Sequence, residues 1–429
     1  MIFSLKAGII YAVILMEVLA MELFRRENYL KKIRGFYHAA DIIKVITGVR
    51  RCGKSSLMQM IADELREGGV KEDQIIFLNL DKRGYRRIKT ADQLDELIAS
   101  FPKCVGMTYL FIDEIQNVKD FEEVINAYRE EGEYSIFITG SNSYLLSGEL
   151  ATKLTGRYVE IEMFPLTFDE YLEMKAFYGK PVDANLSIEL NRFIMEGGFP
   201  RAILLDELAD KRSYTESVVN EIFEKDIRRR AKIKDKEAFE AVRHFIINNF
   251  GATTSINSLQ AALVKNGLNI TRATVSKYIS VLVGAKILYA CDRFDMKSKR
   301  ALKGEKKYYL SDLSFYFCDN TDNRINYGPV LENICYFYAK SRGYSVSVGR
   351  IGTLECDFIL RNRDADYAYL QVAYTIAQSK ETEDREYRPL ERIRDNYPKY
   401  LLTIDYLLQK RGGIRHVNLM DFMKTGTGF

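Results

Sequence analysis

The stretch Val45-Ile46-Thr47-Gly48-Val49-Arg50-Arg51-Cys52-Gly53-Lys54-Ser55-Ser56 constrains this 429-residue chain more than any other. It reads Gly-x-x-x-x-Gly-Lys-Ser. A β-branched run from Ile42 to Thr47 precedes it, and Leu57, Met58, Ile61 and Leu65 follow on one helical face that Gly68-Gly69 ends. A glycine loop between a buried strand and a helix's first turn aims unpaired backbone N–H groups and the positive end of the helix dipole at an anion. This is the Walker A pattern in its required context. Gly48, Val49, Arg50, Arg51, Cys52, Gly53, Lys54, Ser55 and Ser56 are expected to cradle the phosphates of a nucleoside triphosphate. Lys54 is expected to reach the β- and γ-phosphates, and the Ser55 hydroxyl to ligate Mg2+.

Downstream the chain alternates strands and helices. Gln74 to Leu80 reads as a strand and Ala91 to Ser100 as a helix. Tyr109-Leu110-Phe111-Ile112-Asp113-Glu114 has the form of Walker B, four apolar residues and two carboxylates. A buried parallel strand places its last residues at the carboxyl edge of the sheet, beside the phosphate loop. Asp113 is therefore the candidate for the Mg2+ shell, and Glu114 for orienting or deprotonating the attacking water. The strand Ser135 to Thr139 runs into Asn142, the candidate γ-phosphate sensor, and Tyr158 to Met163 completes a five-strand, doubly wound set. A guanine-reading Asn-Lys-x-Asp is missing. Asn117-Val118-Lys119-Asp120 has the wrong order, so ATP is the expected nucleotide.

An apolar share of 47% with 28% charged residues excludes a disordered chain. The six cysteines form no Cys-x-x-Cys pair and there are three histidines, which argues against structural zinc and for a reducing, cytoplasmic setting. Ala7 to Met16 is too short an apolar run to span a bilayer, so no stable membrane association is expected. Residues 1–20 read as an apolar segment ahead of a later start at Met16 or Met21.

Several motifs recur in an order that resembles a prokaryotic AAA-type ATPase family. They are Gly48-Val-Arg-Arg-Cys-Gly-Lys-Ser, Phe111-Ile-Asp-Glu-Ile-Gln116, Ile138-Thr-Gly-Ser-Asn142, Thr155-Gly-Arg-Tyr158 and Phe164-Pro-Leu-Thr-Phe-Asp-Glu-Tyr171. The resemblance covers Met21 to the C-terminus. It implies an ATPase core, a helical lid, a winged helix and a nuclease-like terminal domain of unknown function. It also marks Arg157, just ahead of the last strand, as a candidate phosphate-sensing or trans-acting arginine.

The remaining sequence divides accordingly, into a core at 21–165, a lid at 166–236, a winged helix at 237–320 and a restriction-endonuclease-like domain at 321–429. In the lid, Lys225-Asp226-Ile227-Arg228-Arg229-Arg230 reads as a solvated basic face. In the third unit, helices near Phe239, at Ser255 to Leu263 and at Thr274 to Val283 precede two wing strands. Lys297, Lys299, Arg300, Lys303 and Lys306 lie between those strands, which makes double-stranded DNA a candidate partner. In the last unit Glu332 and Asp357 match the metal-binding carboxylates of the nuclease core. Gln371-Val372-Ala373 replaces its Glu-x-Lys and deprives it of its cation, so a catalytically inactive domain is expected. The leading expectation is an ATP-driven conformational switch, possible partners being DNA, a protein or further copies of the chain. The alternatives are a DNA-binding module for which ATP is only a conformational ligand and, last, a metal-dependent nuclease.

Overall fold

The computed structural model describes residues 22–140, 156–228, 233–298, 300–320 and 325–429. Five strands, β1 (Ile43–Gly48), β2 (Ile75–Asn79), β3 (Thr108–Asp113), β4 (Tyr134–Gly140) and β5 (Tyr158–Met163), form a parallel sheet in the order β2-β3-β4-β1-β5. Every residue of β1, β3 and β4 is buried, as expected of strands covered on both faces. Ile46, Phe111 and Phe137 face the helix Lys54–Glu67, whereas Val45, Leu110 and Ile136 face the helices Ala91–Ala99 and Phe121–Glu131. The strands match the sequence expectation to within a residue or two.

The segment read as the lid carries helices Phe168–Phe177, Leu186–Glu196, Pro200–Ile203 and Leu208–Glu221, the last continued by a π-helical segment, Ile222–Arg228. Its junction with the third unit is tight at Gly198. The amide of Gly198 donates to the Asp312 carboxylate (2.6 Å), and a Cβ there would lie 2.5 Å from the Leu166 carbonyl. Helices Lys236–Asn248, Ile256–Lys265 and Arg272–Gly284 follow. The last two start on side-chain caps from Ser255 and Thr271.

The third unit and the terminal domain, divided at residue 320 in the sequence reading, share one sheet. Strands β6 (Thr253–Ser255), β7 (Leu288–Asp295) and β8 (Arg300–Leu310) belong to the first. Strands β9 (Ser345–Ile351), β10 (Leu354–Arg361), β11 (Tyr367–Val372), β12 (Lys399–Thr403), β13 (Lys410–Arg411) and β14 (Ile414–Asn418) belong to the second. The order is β13-β14-β12-β11-β10-β9-β7-β8-β6, with β7 parallel to β9 through Arg293↔Val348 and Asp295↔Arg350. The Asn333 amide extends the seam, accepting from the Leu310 N–H (2.8 Å) and donating to its carbonyl (2.9 Å). Among the described residues no helix is long and apolar enough to cross a membrane.

Candidate functional site: a nucleotide pocket at the carboxyl edge of the parallel sheet

The phosphate loop leaves β1 at Gly48, whose φ is +148° and where a Cβ would lie 2.3 Å from the Met163 carbonyl of β5. Only glycine fits. Gly53, at φ +109°, caps the helix that opens with Lys54. The Lys54 ammonium is buried and donates to the carbonyls of Gly48 (3.0 Å) and Val49 (3.1 Å), so it already stands inside the loop's curl. Arg26 braces the loop from outside. It donates to the Cys52 carbonyl (3.0 Å) and the Phe164 carbonyl (2.8 Å) while paired with the buried Glu170.

Asp113 and Glu114 end β3 beside this loop. The Asp113 carboxylate accepts from the Asn79 amide (2.8 Å) and from the Thr139 hydroxyl, which fixes its orientation. Glu114 has φ +59°, a conformation unusual for a side-chain-bearing residue, and its N–H donates to the same hydroxyl (3.1 Å). Burial pushes the Glu114 carboxyl up, against the opposing pull of Lys54 and Arg50. Ser55, Lys54, Asp113 and Glu114 all line a pocket of about 750 Å³. Its apolar part comes from residues such as Phe24, Met60, Tyr178 and Tyr214. Hard oxygen donors at Ser55 and Asp113, together with the buried cation, suit a Mg-nucleotide.

The loop arginines reach the lid. Arg50 Nε and Nη2 grip the Asp226 carboxylate (3.0 and 3.2 Å), and Arg51 Nη2 lies 3.1 Å from Glu221. Burial opposes the charge on Arg50 and the Asp226 carboxylate more than offsets that, so its pKa is raised. The basic run at 225–230 is therefore not a solvated face throughout. Asp226 and Ile227 are buried, Lys225 pairs with Glu221 and Arg228 with Glu224. Sequence reasoning missed Arg26, Asn79, Thr139 and Asp226. It also missed Arg201, which lines the pocket from the lid just after the Gly197-Gly198-Phe199-Pro200 break.

Two candidates are not brought together with these groups. Asn142 lies outside the described residues. Arg157 precedes β5, and Tyr158 pairs with Ile43 at the start of β1 while Met163 pairs with Gly48 at its end. A strand's length, roughly 17–20 Å, thus separates it from the phosphate loop of its own chain. It forms a surface ion pair with Glu130 (2.9 Å).

In the terminal domain the helix Tyr327–Ser341 and strands β10 and β11 bring Glu332, Asp357 and Gln371 into one cluster, where the Asp357 N–H donates to Gln371 Oε1 (3.4 Å). The expectation that this cluster lacks a cation is corrected. Lys307 enters from β8, 3.0 Å from both Glu332 Oε2 and Glu355 Oε1 and 4.0 Å from Asp357 Oδ1. Its ammonium occupies the space between the carboxylates, and Gln371 is itself turned toward Glu386 (3.1 Å). Among the described residues no group of His, Cys, Asp and Glu is arranged to hold a metal ion.

Comparison with known proteins agrees with the core. Residues 40–172 match a family described as an AAA domain, and residues 187–318 match a domain of unknown function, DUF8612. The second match covers most of the lid and the third unit, not the terminal domain. Among solved structures, a Walker-type ATPase of Pyrococcus abyssi superposes with a TM-score of 0.48 at 14% identity, over 70% of this chain and 97% of that one. An uncharacterized protein of Haemophilus influenzae is 35% identical over 403 residues, 93% of this chain and 98% of that protein. An uncharacterized protein of Methanocaldococcus jannaschii is 30% identical over 357 residues, 80% of this chain and 78% of that protein. With its parallel-sheet phosphate-loop core, the chain belongs to the same family as these two proteins, one built on an AAA-type P-loop ATPase domain.

Proposed function

We propose that this protein hydrolyses Mg-ATP and uses turnover to move its lid against its core. The observation that carries the reading is the bidentate, buried pair between Arg50 in the phosphate loop and Asp226 in the lid. A group in the loop that contacts phosphate on one side and the lid on the other gives ATP and ADP different affinities for two lid positions, which such coupling requires.

The residue roles follow from position. Lys54 turns from the Gly48 and Val49 carbonyls toward the β- and γ-phosphates. Ser55 and Asp113 are the groups that would hold Mg2+, which offsets charge on the phosphates. Glu114 orients the attacking water and takes its proton. Arg201 adds a lid-borne cation at the pocket rim. A trans-acting role for Arg157, which stands a strand's length from the phosphate loop of its own chain, would require a homo-oligomer.

The three helices and the β7–β8 hairpin follow the chain order of a winged helix, and the third helix exposes Arg272 and Lys277. Those exposed cations support duplex DNA as a partner. They also support the second reading, a DNA-binding module in which ATP only sets the conformation. Six thiols without disulfides fit a cytoplasmic setting. Strand cleavage by the terminal domain is not part of the reading, because Gln371 stands where the nuclease core has a carboxylate and is turned toward Glu386.

The test is ATP hydrolysis by the chain, with and without duplex DNA, beside Lys54→Ala and Glu114→Gln. Lys54-dependent turnover supports the switch. Nucleotide binding without turnover, with duplex affinity unchanged in Glu114→Gln, supports the second reading instead.

A further inference from the structure

A groove of about 980 Å³, larger than the nucleotide pocket, opens where the β7–β8 hairpin joins the terminal domain. Its apolar surface includes Phe294, Tyr367, Tyr369 and Tyr397. The Tyr397 ring is exposed and packs edge-on against Tyr367, with centroids 5.3 Å apart. Its rim carries Lys297, Arg388, Arg392 and Arg394, all exposed.

Two features separate this rim from an ordinary solvated face. Among the described residues none of the four cations forms an ion pair, although nearby Arg411 engages three carboxylates. The one carboxylate lining the groove, Asp395, is already held by the Tyr369 hydroxyl (2.6 Å) and faces Lys399 (3.7 Å). Four cations against one engaged carboxylate is an excess of three, against a net +4 for the whole chain. Arg388 and Arg392 are also four residues apart on the helix Lys380–Arg392. Like charges at that spacing repel one another along the helix. The helix dipole favours a cation in the last turn, which accounts for Arg392 but not for Arg388 or the aromatic floor.

We propose that this groove binds a segment of single-stranded nucleic acid. Phosphates lie along the row Arg388, Arg392 and Arg394 with Lys297 opposite, and bases stack on Tyr397, Tyr367 and Phe294. A single strand presents both elements at once. In a duplex the base faces are already stacked, so the aromatic floor has nothing to meet. The site is separate from the third helix and shares only Lys297 with the basic wing of the duplex reading, and it does not depend on ATP turnover.

The experiment is fluorescence anisotropy of the full-length chain with labelled single-stranded DNA, single-stranded RNA and duplex DNA of roughly 16 nucleotides or base pairs, at several salt concentrations. The native chain is expected to bind a single strand more tightly than the duplex. Tyr397→Ala weakens single-strand binding about 5- to 150-fold, the range of one lost base stack. The double variant Arg388→Ala/Arg392→Ala lowers affinity at least tenfold and reduces the slope of log K against log salt by about 1.4, at roughly 0.7 per phosphate contact. An unchanged midpoint of urea unfolding reports that each variant is folded. The DNA and RNA arms identify which strand the site takes. No single-strand binding by the native chain, tighter binding to duplex, or variants that bind as the native chain does would each overturn the proposal.

Discussion

Arg50 and Asp226 lie 176 residues apart in sequence, yet form a two-pronged, buried ion pair that ties the phosphate loop to the lid. Removing one partner of such a pair leaves a buried charge without compensation, at a cost of about 3–5 kcal/mol. Asp226→Ala is expected to lower stability by that order in urea unfolding. The paired change Arg50→Met/Asp226→Leu is expected to cost less than the sum of the single changes, with a coupling of about 0.5–3 kcal/mol. Additive costs would show that the two groups do not act as a unit.

Gly48→Ala tests the loop's geometry. Its Cβ would meet the Met163 backbone carbonyl at 2.3 Å, an atom no side-chain rotation can move aside, so the loop itself must move. Binding of a fluorescent ATP analogue is expected to fall by at least tenfold, roughly 1.4 kcal/mol. Gly84→Ala, where nothing lies within 4 Å of the added carbon, is expected to bind as the native chain does.

Lys307→Ala leaves Glu332, Glu355 and Asp357 facing one another without their shared cation. A loss of about 3–5 kcal/mol is expected, read as a lower unfolding midpoint. In the native chain, incubation of DNA with Mg2+ or Mn2+ is expected to give no cleavage that Asp357→Ala abolishes.

Lys44 carries a pH signature. It lies within β1, donating to the carbonyls of Ala39 (2.8 Å) and Ile42 (3.0 Å), and burial pulls its ammonium down to about 7 from an ordinary 10.5. Between those values the unfolded chain holds a proton that the folded chain lacks, so this group's contribution to stability rises with pH from about 7 to 10.5. The difference in unfolding midpoint between the native chain and Lys44→Met is expected to change across that window and to be flat below it.

The parallel core was legible because strands buried on both faces are unbroken apolar runs, as at Tyr109 to Ile112 and Ile136 to Ile138. The Thr271 cap is a local feature, its hydroxyl acting only three residues away on the Thr274 N–H. What escaped was non-local. The β7–β9 pairing joins residues more than fifty positions apart and leaves no local pattern. Lys307 sits beside Lys306 in a basic stretch, yet strand alternation turns Lys306 outward to Asp292 and Lys307 inward to Glu332. That Tyr309, two residues on, also donates to Glu332 shows the period that carried the signal. The placement of Arg157 was available from topology alone. A residue preceding a strand parallel to β1 lies at the amino edge of the sheet, and the phosphate loop lies at the carboxyl edge.

The central claim is that the nucleotide in the loop sets the position of the lid. Amide hydrogen exchange in Ile222–Arg228 reads it most directly, using Glu114→Gln to hold ATP unhydrolysed and comparing ATP with ADP. Different protection of this segment in the two states, with the difference lost in Asp226→Ala, is the predicted result. Identical exchange with ATP and ADP bound would contradict the account.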